Sequence, residues 1–236
     1  MNGFHRFSRR LSAVLLVSLG AGAAQLNDTG QDKCYYYDGT NHTLDPCTHD
    51  NTGDAASWPR QDGRFGRDAA AAAGVLPKTG GGAAGFDFTK VCMSGQLAGQ
   101  GSCPANPTVG TGPNNWACTK DNHTNLIWSL ESRNGSWTYA TINYPTAMNA
   151  TNRCGFSTGW RAPTRRELLS IVHNGKDTVP TIDANYFPNT VDFWYWSADT
   201  YALAPTRAWH VGFFNGFAYQ NLKSGTLPVR LVRSGQ

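Results

Sequence analysis

The chain has 236 residues, 40% hydrophobic and 12% aromatic, which supplies a packed core for one large domain or two small ones and excludes global disorder. Charged residues make up only 15%, with Glu at two positions (Glu131, Glu167), so the residues that favour exposed helix faces are scarce and a coiled coil is excluded. The formal charge of +4 falls to 17 basic against 16 acidic residues once Arg6, Arg9 and Arg10 are set aside, and no run of like charge exceeds a pair, which excludes an electrostatic grip on nucleic acid.

The first residues pair a basic stretch with an apolar run from Leu11 to Leu19 and the small residues Ala21-Gly22-Ala23. That is the pattern of a cleaved secretory signal over residues 1–23; the apolar run is far short of the roughly 20 residues a spanning helix needs. No other segment approaches spanning length, so a secreted or cell-surface protein with no transmembrane segment is expected after cleavage. Export makes the six cysteines an even set in an oxidising compartment. They lie in couples 13, 11 and 36 residues apart, and the local pairing Cys34–Cys47, Cys92–Cys103 and Cys118–Cys154 is expected. Zinc is disfavoured because no C-x2-C spacing occurs.

Residues 24–115 read as a loop-rich, disulfide-stapled N-terminal region. A short helix is predicted over residues 67–76, ended by Pro77, and Phe86-Asp87-Phe88 starts a strand. From Trp116 the texture changes to short apolar runs separated by turns. Thr164 with Glu167 three residues on forms a capping box for a helix through Val172, stopped by Asn174-Gly175. Strands are predicted over residues 193–197, 207–214, 217–222 and 229–233, with Asn215-Gly216 as the hairpin turn between the second and third. Helices followed by a cluster of antiparallel strands make an α+β pattern, with a domain over residues 116–236.

Ordered blocks carry a family resemblance over these last 120 or so residues: Asp121-Asn122-x-Thr124, Gly159-Trp160-Arg161-x-Pro163-Thr164-x-x-Glu167-Leu168, Phe187-Pro188-Asn189-Thr190, Tyr195-Trp196-Ser197, Ala208-Trp209-x-Val211-x-Phe213 and Val229-Arg230-x-Val232-Arg233. They resemble the Lcl_C-like domains, named after the C-terminal domain of the Legionella collagen-like adhesin. The resemblance implies a C-type-lectin-like fold, short helices beside a twisted antiparallel sheet, in an exported bacterial protein; the adhesin that names the family binds sulfated polysaccharides. Many relatives carry two cysteines where this chain has Pro145 and Leu231, and Pro145 is expected to break the first helix into two turns.

Catalytic patterns are missing: there is no G-x-S-x-G, H-E-x-x-H or P-loop, and no histidine has ligand spacing to another on a helix, so a non-enzymatic protein is expected. Calcium is the metal worth weighing, with Asp50, Asp54 and Asp121 as hard oxygen ligands in turns, although none sits in EF-hand spacing and turn capping accounts for them. Residues 118–236 carry 11 basic against seven acidic residues. Arg165 and Arg166 oppose the dipole of the helix they begin, so with Arg207 they are the arginines assigned to an anionic glycan. In the run Phe193 to Trp196, alternation sends Trp196 inward and leaves Tyr195 or Phe193 nearer the surface, free to stack on a sugar or a neighbouring subunit. The function expected is a binding or adhesion module for glycans or another surface macromolecule; the alternative is a self-assembling subunit of an extracellular filament or sheath.

Overall fold

A computed structural model describes residues 27–37, 40–47 and 61–235. The expected export signal, Asp50 and Asp54 lie outside these residues. Among the described residues the architecture is mixed, with few helices and three antiparallel sheets. A hairpin of β1 (Lys33–Tyr37) and β2 (His42–Pro46) is stapled by Cys34–Cys47. It is followed by the helix α1 (Gly66–Ala72). The main sheet has the order β3-β4-β5-β9, from β3 (Phe88–Cys92), β4 (Trp116–Asp121), β5 (Leu126–Gly135) and β9 (Leu227–Ser234). A smaller sheet joins β6 (Trp194–Thr200), β7 (Arg207–Gly212) and β8 (Ala218–Leu222) in chain order.

Both faces of the main sheet are buried. Ile127 and Leu231 point into one core with Trp160, Trp196 and Met148, while their strand neighbours Trp128 and Val232 point into a second core with Phe88, Leu168, Phe187 and Tyr195. Successive side chains on a strand alternate between faces, so each of these strands feeds two cores. A boundary at residues 115/116 would cut through this sheet: β3 pairs with β4 from Phe88↔Asp121 to Cys92↔Trp116, and Phe86, Phe88 and Val91 are core residues. The remaining disulfides are Cys92–Cys103 and Cys118–Cys154, and no cysteine is free.

Pro145 acts on the first long helical segment as its chemistry requires. Tyr139–Asn143 form a π-helical turn that leads into α2 (Tyr144–Asn149), with Pro145 in its first turn. Proline has no N–H to give to the carbonyl four residues back and its ring crowds that carbonyl; the wider π turn accommodates both. The last helix, α3 (Arg165–Leu169), has the capping box: Thr164 accepts from the Glu167 N–H, and the Glu167 carboxylate accepts from the Thr164 N–H at 2.7 Å. It ends sooner than Asn174-Gly175. At the β7–β8 hairpin Gly216 adopts φ 73°, the left-handed conformation that the Asn-Gly pair suits.

Upstream residues clasp the rest. Asn174 N–H donates to the Thr29 carbonyl, the Asn27 amide donates to Asp121 at 2.5 Å and to the Ser170 carbonyl, and Gly30 abuts His173, leaving no room for a Cβ. Gln61 exchanges two hydrogen bonds with the Tyr35 backbone, tying β1 to the chain ahead of α1.

Candidate functional site

The capping box and β7 together build a cationic and aromatic surface. Arg207 and Trp209 are two apart on β7 and share a face; Val211 on that same face is buried in the second core, so the strand runs from core to open surface. Helix α3 begins above the open end, and the Arg165 guanidinium lies 4.3 Å from the Trp209 ring centroid. Tyr201 meets the same indole edge-on at 5.2 Å. Arg165, Arg166, Asp199, Thr164 and Trp209 line a small cavity of about 270 Å³. Arg207 donates to the Gln220 side chain at 2.6 Å, and Lys223 reaches Thr200 at 2.8 Å while lying 3.9 Å over the Trp137 ring. Two arginines in the first turn of α3 would oppose its dipole, and the structure answers with Asp199, which accepts from the Arg165 N–H at 2.5 Å.

Of the residues expected here from sequence, Arg165 and Arg166 meet at one cavity and Arg207 flanks them on β7; Trp209, which lines the same cavity, was not among those expected. Tyr195 is not available to a ligand. It is fully buried, its ring edge-on to Phe213 at 5.1 Å and its hydroxyl accepting from the Val191 N–H. The surface assignment fails because β6 is covered on both sides: Tyr195 fills the second core and Trp196 the first. Phe193 precedes the strand and is exposed. Arg161 makes a two-pronged pair with Glu167, at 2.6 and 2.8 Å, and Arg230 is fully buried, donating to the Ser129 carbonyl and to Thr190 at 2.8 Å.

Asp121 holds a turn: its carboxylate accepts from the backbone N–H groups of His123 and Thr124 and from Asn27. Burial pushes its carboxyl up against these bonds. Metal-like spacing is found upstream instead, where carboxylate oxygens of Asp28, Asp62 and Asp68 lie within 4.8 Å of one another. Their oxygens are committed to the chain, Asp28 accepting from the Arg67 and Asp68 N–H groups and Asp68 from those of Gly30 and Gly85. They dock the upstream segment onto α1. Burial, with Asp28 and Asp62 adding to it, pushes the Asp68 carboxyl up. Among the described residues two histidines are buried, each with an Nδ1 that lacks a hydrogen-bond partner: His173 under Gly30, and His210 between Trp194 and Trp196.

Sequence reasoning missed a second charged group. Glu131 of β5 accepts from Arg133 at 2.6 Å and from Arg153 at 2.9 Å, beside Tyr139 and a cavity of about 410 Å³. Glu131 and Arg133 stand two apart on one strand and so share a face, a signal open to inspection. Arg153 arrives from 22 residues downstream because the Cys118–Cys154 bridge draws its loop against β4.

No curated protein matches the chain in sequence. Residues 117–233, which run from β4 to β9 and contain both arginine groups, match the family model of the Lcl C-terminal domain. The chain therefore carries an Lcl C-terminal domain over residues 117–233.

Proposed function

We propose that the protein is an exported, non-enzymatic surface module of the adhesin kind that binds anionic glycan through the Arg165–Trp209 surface, with residues 1–23 as its export signal and a C-type-lectin-like arrangement of short helices, antiparallel sheets and long loops. The Arg165 guanidinium stacked 4.3 Å over Trp209, with Arg166 and Arg207 beside it, carries this reading. Guanidinium groups pair two-pronged with sulfate or carboxylate, and an indole edge offers apolar contact to a sugar ring. Asp199 is tied to the backbone at the start of α3. The Lcl C-terminal domain supports the surface-adhesion class.

A heparin column tests it with the full chain after signal removal. Retention at low salt should fall as salt rises, because such contacts are screened over about 8 Å at physiological ionic strength. Arg165→Ala/Arg166→Ala/Arg207→Ala should elute without retention while keeping the wild-type melting temperature. Equal retention of the folded triple variant sinks the site. The alternative, a filament or sheath subunit, is favoured by the exposed rings Phe193, Phe214, Phe217 and Tyr219 around the β7–β8 hairpin. Negative-stain microscopy separates the two: polymers support assembly, and a monomer or small closed oligomer supports the binding module.

A further inference from the structure

The cavity between β5 and α2 has a composition unlike the Arg165–Trp209 surface, and it stands apart in residues: Glu131, Arg133, Tyr139, Met148, Arg153 and Met93 form its walls, and it measures about 410 Å³. That volume falls in the range of small-molecule sites, about 300–1,000 Å³. The charges do not balance. Both carboxylate oxygens of Glu131 are engaged, Oε1 by Arg133 Nε and Oε2 by Arg153 Nη1, so two guanidinium groups share one carboxylate and one positive charge is left over. The two cations are also unequal. Arg133 is 58% exposed at the mouth, whereas Arg153 is 13% exposed and its Nε is buried without a hydrogen-bond partner. Arg133 is the cation that an incoming anion can reach, and Arg153 and Glu131 hold it in place from behind.

Apolar surface lies next to this charge. The rings of Tyr139 and Tyr144 stack in parallel, 4° apart in plane with centroids 6.0 Å apart, and both line the cavity, Tyr144 buried and Tyr139 the more accessible of the two. The Arg133 guanidinium lies 5.7 Å from the Tyr144 ring centroid. The sulfur-bearing side chains of Met93 and Met148 complete an apolar wall that adapts to shape, and the exposed Asn152 at the rim offers an amide to a hydroxyl. A ligand for this site therefore needs one negative charge, a ring face or other compact apolar patch, and hydroxyl groups. A second negative charge would meet Glu131.

We propose that this cavity is a second binding site of the protein, one that takes a single monocarboxylated sugar unit, its carboxylate on Arg133 and its ring against Tyr139. The site does not depend on the Arg165–Trp209 surface. It fits one residue of a uronic-acid type, free or at a chain end, where the other surface addresses a polymer.

Glucuronate is the probe, titrated into the full chain after signal removal by isothermal calorimetry, with backbone amide shifts followed by NMR in parallel. Saturable binding is expected, with amide shifts confined to residues around Tyr139, Asn152 and Arg153. Arg133→Ala should weaken it at least about tenfold, the loss expected for one charge-assisted hydrogen bond. Arg133→Lys, which keeps the charge but loses the planar fork, should fall between. Arg165→Ala/Arg166→Ala/Arg207→Ala should bind glucuronate as the wild type does, and Arg133→Ala should keep its heparin retention, so the two sites fail or hold separately. Each of these results overturns the proposal: no saturable binding to the folded wild type, amide shifts centred elsewhere, or acetate binding as tightly as glucuronate, which would make the cavity a simple anion site. Glucose binding as tightly would equally remove Arg133 from the recognition.

Discussion

Glu167→Ala tests the junction that sets the position of Arg165. Glu167 closes the capping box of α3 through Thr164 and forms the two-pronged pair with Arg161, so its truncation removes both at once. The capping half contributes about 1 kcal/mol. The ion pair adds no more than about 1 kcal/mol, because Arg161 is 43% exposed and solvent screens it. The combined loss is about 2 kcal/mol, and for a chain of this size each kcal/mol moves the melting temperature by about 2–4 °C, so a fall of about 4–8 °C is expected by calorimetry. Glu167→Gln keeps an acceptor for the Thr164 N–H and should lose about half as much. The pH dependence has a definite sign. Burial pushes the Glu167 carboxyl up, but hydrogen bonds from Arg161 and Thr164 more than offset this and hold it below its ordinary value of 4.5. A carboxylate depressed in the folded state stabilises above its unfolded pKa and loses that contribution as pH falls through the folded one. The gap between wild type and Glu167→Ala should therefore be full at neutral pH and narrow as pH falls below the ordinary value of 4.5. A melting temperature unchanged by Glu167→Ala, or a gap that widens in acid, would refute the reasoning.

Replacing both Cys118 and Cys154 by Ser opens a 36-residue loop and should cost about 4 kcal/mol by the chain-entropy relation, read as a lower guanidinium midpoint; a midpoint shift near zero would show that the bridge does not constrain the unfolded chain. Burial among Trp194 and Trp196 holds His210 down to about 4, with a backbone hydrogen bond to Gln220 opposing it in part. The unfolded chain takes up that proton near pH 6.5 and the folded one does not, so wild type should lose up to about 3 kcal/mol between these values on acidification, and His210→Phe should flatten the curve. Leu168→Ala, at a fully buried core position, should destabilise by about 2–5 kcal/mol in urea unfolding, whereas exposed Leu203→Ala should stay within about 0.5 kcal/mol of wild type.

Local chemistry was the legible part of the fold. The Thr164/Glu167 box and the Asn215-Gly216 hairpin are set by backbone groups a few residues away, and spacing alone reveals them. Pro145 announced the break in the first helix, though not that a π turn would absorb it. Alternation failed at Tyr195 for a reason outside the strand: the rule assumes one wet face, and at Tyr195 and Trp196 β6 has none. The place of β9 beside β5, across two helices and the smaller sheet, and of β3 at the edge of the same sheet depends on long-range packing that no short window contains. The two arginine groups divide in the same way. Arg165 and Arg166 stood out because they break a helix rule, whereas Arg133 and Arg153 break none and meet only after a disulfide closes.

The family match begins at residue 117, inside β4, while the strand that covers the outer edge of β4 lies upstream at Phe88–Cys92. A gene segment copied at the family's own limits would arrive with a row of unpaired backbone groups along β4 and an empty slot where Phe88 fills the second core. The unit that can be inherited or transplanted as a folded body is therefore longer than the unit that sequence similarity outlines. In this chain the strand around Phe88 is therefore part of the folded body although it lies outside the family match.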